Sequence, residues 1–170
     1  MLKYINFLLA LFLLCGCTNS SYEGENLHIG VIGSLPDIHN PNVQFSITDA
    51  SALEDENEDD RYDAFFITCE HFQHLSSPSW ANVYDEIETP VFFINANQPL
   101  TVFHEEEFLY NNEDFPVNAH TIGFVNTDGE QQITWAFGEP VSSENVDDTP
   151  PDIFDDIFAA ISEGDDHSSG

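Results

Sequence analysis

Apolar residues fall along this chain in short blocks whose period shifts between two and about 3.6, and the shifts outline its elements. Leu27-His28-Ile29-Gly30-Val31-Ile32 is a β-rich run closed by Gly33, Ser34 and Pro36, which predicts a strand over 27–32. Val43, Phe45 and Ile47 alternate with polar residues, as a strand over 42–48 with one buried face would. Residues 62–68 are apolar on both faces, the signature of a central parallel strand, and residues 89–97 repeat it. Between these two runs Phe72, Leu75, Trp80, Val83, Tyr84 and Ile87 recur at helical spacing, interrupted at Pro78, so two helical pieces are expected. Residues 62–97 therefore read as a β-α-β unit with parallel strands and a right-handed crossover.

Outside that unit the pattern is less uniform. Residues 49–61 offer Asp49 or Ser51 as a cap for a short, highly charged helix or loop, and residues 99–119 are mixed and partly helical. Residues 120–138 read as a β-hairpin, with Asp128-Gly129 as the turn between Ile122/Phe124 and Ile133/Trp135/Phe137. Thr149, two prolines and early acidic residues open a helix over about 150–162 that sets Ile153, Phe154, Ile157, Phe158 and Ile161 on one face. The expected fold class is α/β: a single three-layer domain over 27–162, with a mostly parallel sheet, an antiparallel hairpin near 120–138 and a C-terminal helix. Residues 163–170 read as a solvated, disordered tail.

The beginning of the chain follows a different logic. Lys3 precedes an apolar run from about Ile5 to Cys15, too short for the roughly 20 residues that a membrane-spanning helix needs, and it reads as the apolar region of an export signal. It ends in Leu14-Cys15-Gly16-Cys17, which resembles the lipobox of bacterial lipoproteins. That resemblance implies removal of residues 1–16, acylation of Cys17, and a protein held on the outer face of a membrane. Two acyl chains, at ~0.8 kcal/mol per buried CH₂, would anchor it where one chain would exchange. Residues 17–26, polar after Cys17, read as a lipidated flexible tether. In lipobox, size and single domain the chain resembles small lipoproteins of Gram-positive bacilli.

Charge narrows the partners. The formal net charge is −30, and loss of Lys3 with the leader would set Arg61 alone against 32 acidic residues. A surface so poor in Lys and Arg offers no counterion release to nucleic acid and no polybasic attraction to anionic lipid heads. Fifteen Phe, five Tyr and two Trp nevertheless supply a core, so this is a folded acidic domain rather than a disordered tail. The acidity reads first as adaptation of an exposed surface to high salt or high pH; weak cation binding or a basic partner is the alternative. With Cys15 discarded and Cys17 acylated, Cys69 has no disulfide partner and packing must stabilise the fold.

Several motifs invite chemistry, and each has an ordinary structural reading beside it. Cys69, with His71 nearby, falls where a central strand hands over to a helix, so it is a candidate nucleophile or a small buried residue. His71 and His74, with Cys69 or Glu70, superficially suggest a metal site, but no further His has motif-like spacing. Asp55, Asn57 and Asp59 start like a calcium loop, yet Asp60 and Phe66 stand where its Gly and Glu belong. Gly30-Val31-Ile32-Gly33-Ser34 lacks the dinucleotide fingerprint, and neither a Walker lysine nor a nucleophile elbow occurs. No metal or cofactor is assigned. The candidate ligand pocket gathers Asp37, His39, Cys69, His71 and Asn95, because the segments after three parallel strands share one sheet edge. The expected function is a non-enzymatic binding or interaction module of the cell envelope, with a possible envelope protein as its partner. The alternative is a cell-surface enzyme using Cys69 with His71, or carboxylates such as Asp37.

Overall fold

The computed structural model describes residues 18–54, 62–96, 98–104, 119–127, 131–141 and 145–168. The leader with Cys17, the acidic run 55–60, Arg61 and the Asp128-Gly129 turn lie outside the described residues. Six strands form one sheet: β1 Leu27–Ile32, β2 Val43–Ile47, β3 Ala64–Ile67, β4 Val91–Phe93, β5 Thr121–Thr127 and β6 Gln131–Phe137. They lie side by side in the order β2-β1-β3-β4-β5-β6. The β1/β2, β1/β3 and β3/β4 pairs are parallel, and β4/β5 and β5/β6 are antiparallel. The fold is α/β with a mixed, mostly parallel sheet, as the pattern predicts.

Helices cover both faces: α1 Cys69–Leu75, α2 Pro78–Glu86, the single turn α3 Thr101–His104, and α4 Pro151–Ser168. Side chains alternate across each strand, so adjacent Phe65 and Phe66 enter different cores. On one side Ile29, Val31, Phe66 and Phe92 meet the α4 stripe of Ile153, Phe154, Ile157, Phe158 and Ile161. On the other, Ile32, Phe65, Ile67 and Phe93 meet Phe72 and Leu75 of α1, Tyr84 of α2 and Phe103 of α3. Phe66 and Phe158 stack with planes 3° apart and Phe93 and Phe103 at 3.8 Å between centroids. Each fully buried Phe contributes about 1.5–3 kcal/mol by leaving water, so aromatic packing on both faces does what a disulfide would otherwise do.

The joints have local causes. Pro78 stands at the first position of α2, where its missing N–H costs nothing, and so separates α2 from α1. At the other end of α2 the Asn126 amide donates to the carbonyls of Tyr84 at 2.7 Å and Ile87 at 2.8 Å, tying strand β5 to the helix terminus. Gly33 turns the chain out of β1 at φ +122°, and a Cβ there would lie 1.9 Å from Thr68 Oγ1. Asp49 caps the 3-10 turn Ala50–Leu53 by accepting from Ser51 N–H at 2.9 Å, one of the two caps expected.

Two segments differ from the sequence pattern. Thr149 does not cap α4: its hydroxyl has no hydrogen-bond partner among the described residues, and its N–H closes a 3-10 turn on Val146. The helix starts at Pro151 and continues to Ser168, past the end at 162 that the apolar stripe marks. Residues after Cys17, read as a flexible tether, are instead held to the domain. Thr18–Asn19 pairs in parallel with Ile38–His39, and the Asp155 carboxylate of α4 accepts from the Ser20 hydroxyl, Ser21 N–H at 3.0 Å and Tyr22 N–H at 3.2 Å. Asn40 donates to Ser20 Oγ and to Tyr22 O, and the Tyr22 ring packs edge-on against Phe158 at 5.6 Å. The physical reason is burial: a polar segment that can satisfy its backbone on a helix carboxylate and lay one aromatic ring on the core has a favourable alternative to solvent.

Candidate functional site

In open α/β sheets the crevice for a ligand lies at the carboxyl ends of the strands, where strand order reverses. Here β1 connects to β2 on one side while β3 lies on the other, so the reversal falls between the ends of β1 and β3. Gly33-Ser34 and Thr68-Cys69-Glu70 meet at that point. Ser34 Oγ donates to Glu70 Oε1 at 2.7 Å, Thr68 Oγ1 donates to Glu70 Oε2 at 2.8 Å, and Ser34 N–H donates to Thr68 Oγ1 at 3.1 Å. Burial pushes the Glu70 carboxyl up, but these hydroxyl and backbone donors outweigh it and hold it below the ordinary glutamate value. The donors that could have met an anion are thus spent on the protein's own carboxylate.

The five candidate pocket residues reach this edge by different routes. Cys69 and His71 lie in the first turn of α1, two positions apart, and residues at that spacing point away from one another on a helix. The Cys69 thiol contacts Glu70 Oε2 at 3.8 Å, whereas reactive cysteines sit in electropositive surroundings. Cys69 packs on the α1–α2 core, but Ile38, between Asp37 and His39, packs on the α4 core. Asp37 is exposed, its N–H donating to Asp147 at 3.1 Å, and exposed His39 pairs with Asn19. Asn95 is buried at the end of β4 with φ 60°, a left-handed turn that Asn tolerates better than most residues.

Other polar groups were hidden from the sequence by distance along the chain. An open groove of about 1020 Å³ lies beside the end of α2, α3 and the β5–β6 hairpin, lined among others by Asp85, Glu86, Glu88, His104, Asn126 and Gln132. It is not at the predicted edge. His104 Nδ1 lies 3.7 Å from Asp85, and its ring stands edge-on to Phe124 at 4.4 Å. Burial lowers the affinity of His104 for its proton, and the exposed Asp85 carboxylate only partly offsets this. Burial likewise holds His120 below the ordinary histidine value, with Nδ1 2.9 Å from Thr121 Oγ1. Among the described residues no three His, Cys, Asp or Glu side chains are grouped to hold a metal ion, and no helix is long and apolar enough to cross a membrane.

No protein-family model, curated protein or solved structure matches this chain.

Proposed function

We propose that this protein is a lipid-anchored, extracytoplasmic module of the cell envelope, acting through binding or interaction rather than catalysis. The observation that carries the reading is Leu14-Cys15-Gly16-Cys17 at the end of a short apolar run, directly followed by a folded acidic α/β domain. The anchor would be two acyl chains on Cys17, and the partner an envelope protein; weak cation association belongs to the acidic surface. Against an enzyme using Cys69 stands the geometry of α1, where His71 lies on another face and the thiol's neighbour is a carboxylate.

Fractionation of cells carrying Cys17→Ala tests the anchor. The variant leaves the membrane fraction or keeps its leader, and unchanged fractionation with unchanged mass would overturn the reading. Cys69→Ser tests the second half: the phenotype stays as in the parent, and a loss of function reproduced by thiol alkylation of the parent would restore the enzyme.

A further inference from the structure

Resting on the reading of Cys17 as the acylated residue, we infer that the carboxyl edge of the sheet faces the lipid surface, held there by the docked Thr18–Tyr22 segment. Two independent observations converge on that edge. The first is the missing slack. A free polar tether of residues 18–26 would span about 15–18 Å as a random coil, letting the domain tumble. Instead Thr18 is already paired with Ile38, and a Cα step of only ~3.8 Å separates it from Cys17.

The place of that exit follows from the topology. Ile38 lies in the loop leaving β1, and Asp37 beside it is bonded to Asp147, in the 3-10 turn just before α4. The start of α4 lies at the carboxyl edge: the Ile153 side chain is what a Cβ on Gly138 would strike, and Gly138 follows β6 where Phe137 pairs with Thr121, beyond the end of β4. Five residues lie between Ile32 and Ile38, and the Asp37–Asp147 bond ties that loop to the start of α4, so the chain enters the domain at Thr18 beside the carboxyl edge.

The second observation is the distribution of exposed apolar side chains. Among the described residues the large exposed ones are Leu35 at 43 %, Ile47 at 68 %, Ile133 at 39 % and Val141 at 37 %. Leu35 follows β1, Ile47 ends β2, and Val141 follows β6. Three of the four therefore lie at the carboxyl ends of parallel strands or at the matching end of the hairpin, spread across a sheet about 24 Å wide at ~4.8 Å per strand. At the switch point between them the Glu70 carboxylate is bonded to Ser34 and Thr68, so the donors there are taken and the apolar side chains are what this edge offers a surface. That edge suits contact with a lipid interface, and its aspartates favour zwitterionic over anionic headgroups. A partner must then meet the module at the membrane surface, through the opposite edge or the sides.

The test uses the full, acylated protein reconstituted in phosphatidylcholine vesicles that carry a nitroxide-labelled headgroup quencher. In a Cys69→Ser background one fluorophore is placed by Glu139→Cys, at the carboxyl edge, or by Glu88→Cys, ahead of β4 at the opposite edge; both glutamates are exposed. Quenching is several-fold stronger at position 139 than at 88, and adding Asp155→Ala, which removes the carboxylate that holds the segment, brings the two close together. Acylated protein with equal quenching at both positions overturns the orientation alone. Protein that lacks the acyl mass and does not float with the vesicles overturns the anchor reading and the orientation with it.

Discussion

The docking of Tyr22 on Phe158 can be weighed as a free energy, and a double-mutant cycle isolates it from everything else either residue does. Phe158 is fully buried, touching Phe66, Phe154, Phe45 and Tyr22. Its replacement by Ala loses transfer energy and leaves a cavity, about 3–5 kcal/mol together. That is a large share of the 5–15 kcal/mol that holds a domain folded. Tyr22 is half-buried, and Tyr22→Ala removes both the ring contact and the hydroxyl contact with Ser162. A cost of about 1–2 kcal/mol follows from one partly exposed hydrogen bond and one aromatic pair. The coupling between the two positions is the aromatic term alone, about 0.5–1.5 kcal/mol for an edge-on pair at this separation. Urea unfolding of the chain from residue 18 onward, followed by the fluorescence of Trp80 and Trp135, reads all four corners of the cycle at constant m. If Tyr22→Ala leaves the midpoint unchanged and the coupling is zero, residues 18–26 are a free tether and the fixed orientation falls with them.

Three further outcomes follow from the packing and the charges. Gly33→Ala places a methyl 1.9 Å from Thr68 Oγ1 in a left-handed turn, and it lowers the unfolding free energy by about 1–3 kcal/mol, read as a fall in Tm. Asn126→Ala frees the Tyr84 and Ile87 carbonyls at the end of α2, costs about 1–2 kcal/mol, and speeds amide exchange in the last turn of α2 more than in α4. Stability falls with pH in two stages. His104 and His120 bind protons less tightly than the free value of 6.5, so their contribution is complete above 6.5 and is lost as pH falls through the folded values. Glu70 and Asp155, held below 4.5 and 3.8, add a second loss at lower pH. His120→Gln shrinks the first stage, and an unchanged melting profile between pH 7 and 5 would show that burial does not act on these rings.

What was readable from the sequence was what local pattern governs. The β1 run of 27–32 is found over the same residues; the apolar blocks at 62–68 and 89–97 shorten to β3 and β4 but pair in parallel as expected; and Pro78 splits the crossover into α1 and α2. The α4 stripe was visible because 3.6-residue periodicity and burial coincide there. What stayed hidden depends on partners far away in the chain. Ser20 and Ser21 look like tether residues until Asp155, more than 130 residues later, is brought beside them. Thr68 and Glu70 look like an ordinary helix start until Ser34 arrives from β1. Thr149 had the composition of a cap, but the helix starts at Pro151 after two prolines, and its hydroxyl has no hydrogen-bond partner among the described residues. The surroundings of the candidate pocket were hidden for a related reason: topology brings the segments of Asp37, His39, Cys69 and His71 to one edge, but only the folded chain shows that Ile38, between the first two, packs on the α4 core and Cys69 on the α1 core.

The most direct test of the whole account is the intact mass of the protein extracted from the membranes of the cells that make it. The expected protein begins at Cys17, lacks residues 1–16 and carries the added mass of acyl chains on that residue. A chain that still begins at Met1, or that begins at Cys17 without added mass, would contradict that expectation.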